Sequence, residues 1–138
     1  MPIADILTPA RFLVREFAEH DRNAFIACHL DPAFLLFHLE RERGAEHASH
    51  VFDLFLAWQG DAPRQNHQYA IAPRDVPDGY VGNVGIRAQG LEPGQAELGI
   101  ELIPSWWGKR AATEIMEVVL PWAARTLRVE SASSTCGA

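Results

Sequence analysis

QAELGIELIPSWWGKRAATEIM, residues 95–116, changes its periodicity midway, and that change decides the fold. Ala96, Leu98, Ile100 and Leu102 alternate with Glu97, Gly99, Glu101 and Ile103, the pattern of a strand with one buried face. Pro104 ends the ladder. From Gly108 the apolar residues recur at helical spacing, with Ala112, Ile115, Met116, Val119 and Trp122 covering one face. The stretch predicts a strand, a bend and a helix that opens at Gly108.

That helix start is chemically unusual, because Lys109 and Arg110 fall in its first turn and neither Trp106 nor Trp107 has the side-chain oxygen of an N-cap. Cations at the positive end of the helix dipole cost roughly a few tenths of a kcal/mol each. A bound anion reverses the sign: free N–H groups at a helix start bind phosphate, and the two side chains then add charge-assisted bonds. The residues alone leave this reading level with a solvated helix end whose long side chains reach into water.

Upstream, YVGNVGIRA (80–88) and HQYAIA (67–72) read as a hairpin joined through PRDVPDG, and QGLEPG turns the chain into the strand that opens at Gln95. Gly82 and Gly85 inside a strand predict a bulge, or the close approach of another backbone or a ligand. Ala45–Trp58 and Ala18–Leu30 read as helices, AFLLFHLERERG (33–44) as an irregular or short helical connector, and Arg11–Phe17 as the first strand. Downstream, Pro121 predicts a kink near Glu117 that divides the last helix. LRVESA (127–132) reads as a fifth strand and SSTCGA (133–138) as a frayed end. The order β-α-α-β-β-β-α-β, with three successive antiparallel strands between helices, is α+β.

With 138 residues, 48% of them hydrophobic, the chain is expected to form one domain, 1–138, around a single core. Its formal charge of −6, without a basic block, disfavours nucleic acid and suits an amine-bearing or basic acceptor better. Cys28 and Cys136 make neither a disulfide framework nor a metal-binding pair, and Cys28 reads as buried beside Phe25 and Ile26. His47 and His50 sit three apart without a third ligand of suitable spacing, so no metal is expected. No signal-peptide core and no apolar run approaching ~18 residues is present, which predicts a cytoplasmic protein without a membrane partner. The Gly-x-x-x-x-Gly-Lys-Ser/Thr pattern of a nucleotide P-loop is missing.

PSWWGKRAATE, preceded by AELGIEL, resembles the acetyl-CoA loop of the GNAT N-acetyltransferases, particularly the branch that acetylates ribosomal-protein N-termini. In that family a Gln/Arg-x-x-Gly-x-Gly/Ala loop wraps the pyrophosphate with backbone amides. The resemblance sets Trp107 at the first position, Arg110 where the middle glycine usually sits and Ala112 at the last small position. Gly108, Ala111, Thr113 and Glu114 also match. It thus implies acetyl-CoA contacts from Trp107, Gly108, Lys109, Arg110, Ala111, Ala112 and Thr113, with Arg110 either crowding the pyrophosphate or binding it. The family's element order agrees with the one read above, but family domains continue with another helix and two more strands. A GNAT-like sheet short at its C-terminal end, with an open edge at the last strand, predicts a homodimer.

The resemblance also implies acetyl transfer to a primary amine, a protein N-terminus included. Such an amine has a pKa near ~10.4 if lysine-like and needs a base. Glu97 and Glu101, on one strand face, are the candidates, since a glutamate on this strand often serves the family as base. A backbone N–H at Leu102 or Ile103 would receive the oxyanion where the strand parts from its neighbour. Ser133, Ser134, Cys136 or a water would protonate the thiolate. The alternative is a noncatalytic domain that binds CoA or mediates dimerisation.

Overall fold

Alternate residues of the strands sort onto two faces of one sheet, and both faces are covered along the central strands. The computed structural model describes residues 9–35 and 44–136, so most of the 33–44 connector lies outside the described residues, apart from a short helix, α2, Pro32–Leu35. Five strands, β1 (Phe12–Glu16), β2 (Asn66–Pro73), β3 (Gly82–Arg87), β4 (Gln95–Leu102) and β5 (Ser131–Cys136), lie side by side in sequence order. The first four pair antiparallel, and β5 joins β4 in parallel after a crossover through α4, Ala111–Thr126. This is the expected α+β architecture.

One face carries Phe12, Val14, Tyr69, Ile71, Val84, Ile86, Leu98, Ile100 and Leu102, covered by Ala111, Ile115, Val119, Trp122 and Ala123 of α4. The opposite face is covered by α1 (Arg22–Leu30) and α3 (Ala45–Trp58), whose Phe25, Ala48, Phe52 and Phe55 pack with Phe17 and Ala70. Both layers use the helical spacing of their apolar residues. The entry to α1 is a 3-10 turn at Glu19–Asp21, not the α-helix expected from Ala18. Asp21, 1% exposed, holds it: both its oxygens take the Arg15 guanidinium at 2.8 Å, and Oδ2 also accepts the Ala18 amide at 2.9 Å. Arg15 reaches on to the carbonyls of Pro77 and Gly79, so β1, the start of α1 and the β2–β3 loop share one clamp.

Three further expectations are corrected. α4 runs as one helix through Pro121, which is exposed, so the divided helix does not form. β5 begins four residues later than Leu127 and includes Ser133–Cys136, expected to fray; Leu127 and Val129 instead pack against the α4-side core. Gly82 and Gly85 sit in regular register, so no bulge is needed. A Cβ on Gly82 would run into the Glu101 carbonyl oxygen, and one on Gly85 into the side chain of Gln68. The expected close approach of another backbone therefore exists at Gly82, whereas at Gly85 a side chain takes the space.

His67 on β2 is half-buried near the bidentate Arg64–Glu16 ion pair. Burial, and secondarily Arg64, push its pKa down from 6.5 to about 4. The folded value lies below the unfolded one, so the unfolded chain takes up the proton first. The stability gained from keeping His67 neutral is complete above about pH 6.5 and is lost as pH falls toward 4. Urea midpoints of wild type and His67→Gln should therefore diverge across that window, with the wild type falling more steeply; parallel curves would mean that His67 does not couple to folding.

Candidate functional site

β4 delivers both glutamates to the α1/α3 face, as their parity requires, but into different surroundings. Glu97 is exposed opposite Arg87 and opens onto a hollow of about 500 Å³ lined by Trp58, Asn66, Arg87 and Gln89. Arg87 is held there by the rings of Trp58 and Phe55 and by Gln68 Oε1. Glu101, roughly 13 Å further along the strand at ~3.4 Å per residue, is half-buried opposite Asn83. Its Oε2 is buried without a hydrogen bond among the described residues and lies 3.4 Å from His29 Nε2, an ion-pair approach short of hydrogen-bond geometry.

Around Glu101 the structure assembles groups that the sequence did not bring together. Gln68 Nε2 donates to Asn83 Oδ1 at 2.6 Å, and Asn83 Nδ2 donates to the Tyr80 hydroxyl at 3.0 Å. Burial pushes the Tyr80 phenol well above its ordinary pKa, with Glu101 adding to the shift, so Tyr80 stays a protonated donor. Burial, then Glu101 and Asp31, push the Cys28 thiol up to about 12, which keeps it protonated and fits its reading as a buried residue. His29 stacks on Phe25 with ring centroids 4.1 Å apart, one helical turn away. No sequence signal tied His29, Tyr80 or Asn83 to Glu101; only the pairing of β3 with β4 and the packing of α1 do.

Backbone direction at the end of β4 separates the two oxyanion candidates. The Ser131 amide donates to the Gly94 carbonyl at 3.1 Å, so even-numbered backbone of β4 faces β5. Odd-numbered backbone faces β3: the Ile103 amide donates to the Val81 carbonyl at 2.8 Å. Ile103, expected as an alternative donor, is therefore already engaged. The Leu102 amide points by alternation to the β5 side, beyond Ile100–Cys136, the last described β4–β5 pair. The Leu102 carbonyl accepts the Trp107 indole N–H at 2.8 Å.

The turn that follows differs from the expected helix start. Pro104–Trp106 forms a 3-10 turn, residues 107–110 a tight reversal, and α4 begins at Ala111, three residues after Gly108. Lys109 and Arg110 thus precede the helix, and the ionic group in its first turn is Glu114. Gly108 has φ +74° and Arg110, at the cap, φ +60°; for a side-chain-bearing residue that left-handed conformation costs about 1–2 kcal/mol. No side chain caps α4, which leaves the amides of Ala111, Ala112 and Thr113 without intrahelical partners. Arg11 pins the turn, donating from Nε to Glu114 Oε1 at 2.9 Å and from a terminal nitrogen to the Lys109 carbonyl at 3.0 Å. Lys109 lies over the Trp106 ring, which packs edge-on against Phe12 at 5.0 Å.

From this turn a cleft of about 390 Å³ runs between β4 and α4, lined by Leu98, Gly99, Ile100, Ala112, Thr113 and Met116 among others. Uncapped amides at one end of a mainly apolar channel fit an anion with an extended, weakly polar tail. Among the described residues no cluster of His, Cys, Asp and Glu could hold a metal, and no helix is long and apolar enough to cross a membrane.

A family model described as an acetyltransferase (GNAT) domain matches residues 11–138. The uncharacterized N-acetyltransferase YoaA of Bacillus subtilis is 26% identical over 118 residues, which are 85% of this chain and 65% of that protein, so the chain spans less than two thirds of its relative. Among solved structures, a Vibrio cholerae spermidine N-acetyltransferase in complex with CoA and spermine superposes with a TM-score of 0.69 at 12% identity, over 91% of this chain and 70% of that one. RimL, a ribosomal L7/L12 alpha-N-protein acetyltransferase, superposes with a TM-score of 0.68 at 18% identity, over 94% of this chain and 69% of that one.

Proposed function

The chain belongs to the GNAT acetyltransferase domain family, and from that premise we propose that it transfers acetyl from acetyl-CoA to a primary amine by direct attack. The observation that carries this reading is the Leu102 amide, turned to the β5 side past the last described strand pair and next in sequence to the half-buried Glu101. The CoA pyrophosphate would sit on the amides of Ala111–Thr113, with Trp107 and Gly108 shaping the turn and Lys109 and Arg110, both exposed, adding positive charge. The pantetheine arm would follow the cleft between α4 and β4. The thioester oxygen would then meet the Leu102 N–H, which stabilises the tetrahedral oxyanion.

Glu101 is the base in this reading, directly or through one water, because Glu97 lies too far along the strand to reach the same carbonyl. The acceptor approaches from the α1/α3 side. The amine nitrogen forms its bond to the carbonyl carbon, the C–S bond breaks, and the thiolate takes a proton from the attacking nitrogen or from water. Both a protein N-terminus and a small polyamine are acceptors of the required chemistry, and the net charge of −6 favours cationic ones. Self-association through β5, an outer strand of the described sheet, is the assembly we propose.

CoA should raise the melting midpoint, and an amine panel of peptides and polyamines should identify acceptors by thiol release. In Gly108→Val the midpoint shift with CoA should vanish while the fold persists, because φ +74° strains any β-branched residue and displaces the turn. The absence of both a CoA shift and acetyl-CoA turnover in the wild type would overturn this reading.

A further inference from the structure

His29 Nδ1 lies 2.8 Å from the Phe25 carbonyl oxygen. A carbonyl only accepts, so Nδ1 carries the proton, and the lone pair of the neutral ring falls on Nε2. Nε2 faces Glu101 Oε2 at 3.4 Å, the oxygen that is buried without a hydrogen bond among the described residues. A lone pair set against a carboxylate repels, and one proton between them converts repulsion into a charge-assisted contact. Among the described residues, Cys28 and Tyr80 hold their own protons under burial, the Asn83 amide is spent on Tyr80 and Gln68, and Asp31 Oδ1 accepts the Ala33 amide at 2.9 Å.

Resting on the reading of Glu101 as base, we infer that His29 is its positioning partner and takes over, at Nε2, the proton that the carboxylate removes from the acceptor ammonium. The ammonium N–H bond breaks, the proton passes through Glu101 to Nε2, and the imidazole becomes an imidazolium beside the carboxylate. The freed amine forms the C–N bond, the C–S bond breaks, and a second nitrogen proton goes to the thiolate. The imidazolium returns its proton to water after the amide leaves, so one proton is released per turnover. The Phe25 carbonyl fixes the tautomer that makes Nε2 the acceptor, and the Phe25 ring fixes the plane.

The test combines a spectroscopic and a kinetic arm. In ¹⁵N-histidine spectra of the wild-type chain, His29 Nδ1 should be protonated, and Glu101→Gln should move the Nε2 signal while leaving Nδ1 in place. His29→Phe, which keeps the stack on Phe25, should lower kcat at least tenfold with the KM for acetyl-CoA unchanged. Adding it to Glu101→Gln should cost nothing further, since the two act as a unit. In His29→Ala, imidazole in the buffer should restore part of kcat. A bare Nδ1 with a protonated Nε2, wild-type kcat in His29→Phe, or multiplicative losses in the double variant would overturn the inference while leaving Glu101 as base. Unchanged kcat in Glu101→Gln would overturn both.

Discussion

Glu101→Gln is expected to lower turnover by roughly 10²-fold or more while leaving CoA affinity nearly unchanged. The substitution keeps the side-chain shape and removes only the ability to take a proton from the amine. CoA contacts are assigned to the α4 side of the sheet and Glu101 projects from the other, so the loss should appear in kcat and not in CoA binding. Glu97→Gln should be close to silent, because Glu97 is exposed on the hollow beside Arg87 and Trp58. Steady-state turnover of the two variants with a fixed acceptor separates them. Equal rates in Glu101→Gln and wild type across the pH range would mean that water alone removes the proton, and the assignment would fall.

Gly82→Ala should destabilise the fold by about 3 kcal/mol, at the upper end of what an inserted methyl usually costs. The added Cβ would meet the Glu101 carbonyl oxygen and the Leu102 Cα, which are backbone atoms of a paired strand and cannot swing aside. Gly85→Ala, whose Cβ would meet the end of the flexible Gln68 side chain, should cost clearly less. Urea unfolding of the pair tests the ordering. A Gly82→Ala midpoint equal to wild type would show that β3 and β4 do not approach this closely. Any Gly82→Ala protein that still folds should also turn over poorly, because β4 would shift at Glu101 and Leu102.

Local periodicity made most of the fold legible. The Gln95 strand and the Ala45–Trp58 helix lie where alternation and helical spacing put them, since each buries one continuous face. Errors gathered where tertiary contacts override local pattern. The apolar residues of LRVESA promised a strand, yet Leu127 and Val129 are used to close the core below α4, and the polar SASSTC forms the strand because the β4 edge offers it partners. That α4 starts three residues after Gly108 is not legible, because two positive-φ residues, Gly108 and Arg110, flank Lys109 and leave no sequence signature that distinguishes a turn from a first helical turn. For the proposed site, Glu101 was visible together with Glu97 as parity on one strand, and Leu102 together with Ile103 only through the family resemblance. His29 was not, because a lone histidine on an amphipathic helix carries no mark of a partner 72 residues away, and neither was Arg11, which reaches across 103 residues to Glu114.

The two faces of the sheet have separate hydrophobic clusters, one under α4 and one under α1 and α3, with only the strands in common. This divides the molecule into two nearly independent variables. On the proposed reading, substitutions among Val51, Phe52, Phe55 and Leu56 would act on the acceptor side and not on the acetyl-CoA side, and effects on the two sides should add within about 0.5 kcal/mol when the sites share no contact. Coupling concentrates where the faces meet, at Gly82, Glu101 and Leu102. If acceptor and acetyl-CoA bind on opposite faces as proposed, a lineage built this way would exchange one acceptor for another by drift in a single layer of helices, while the donor side holds still.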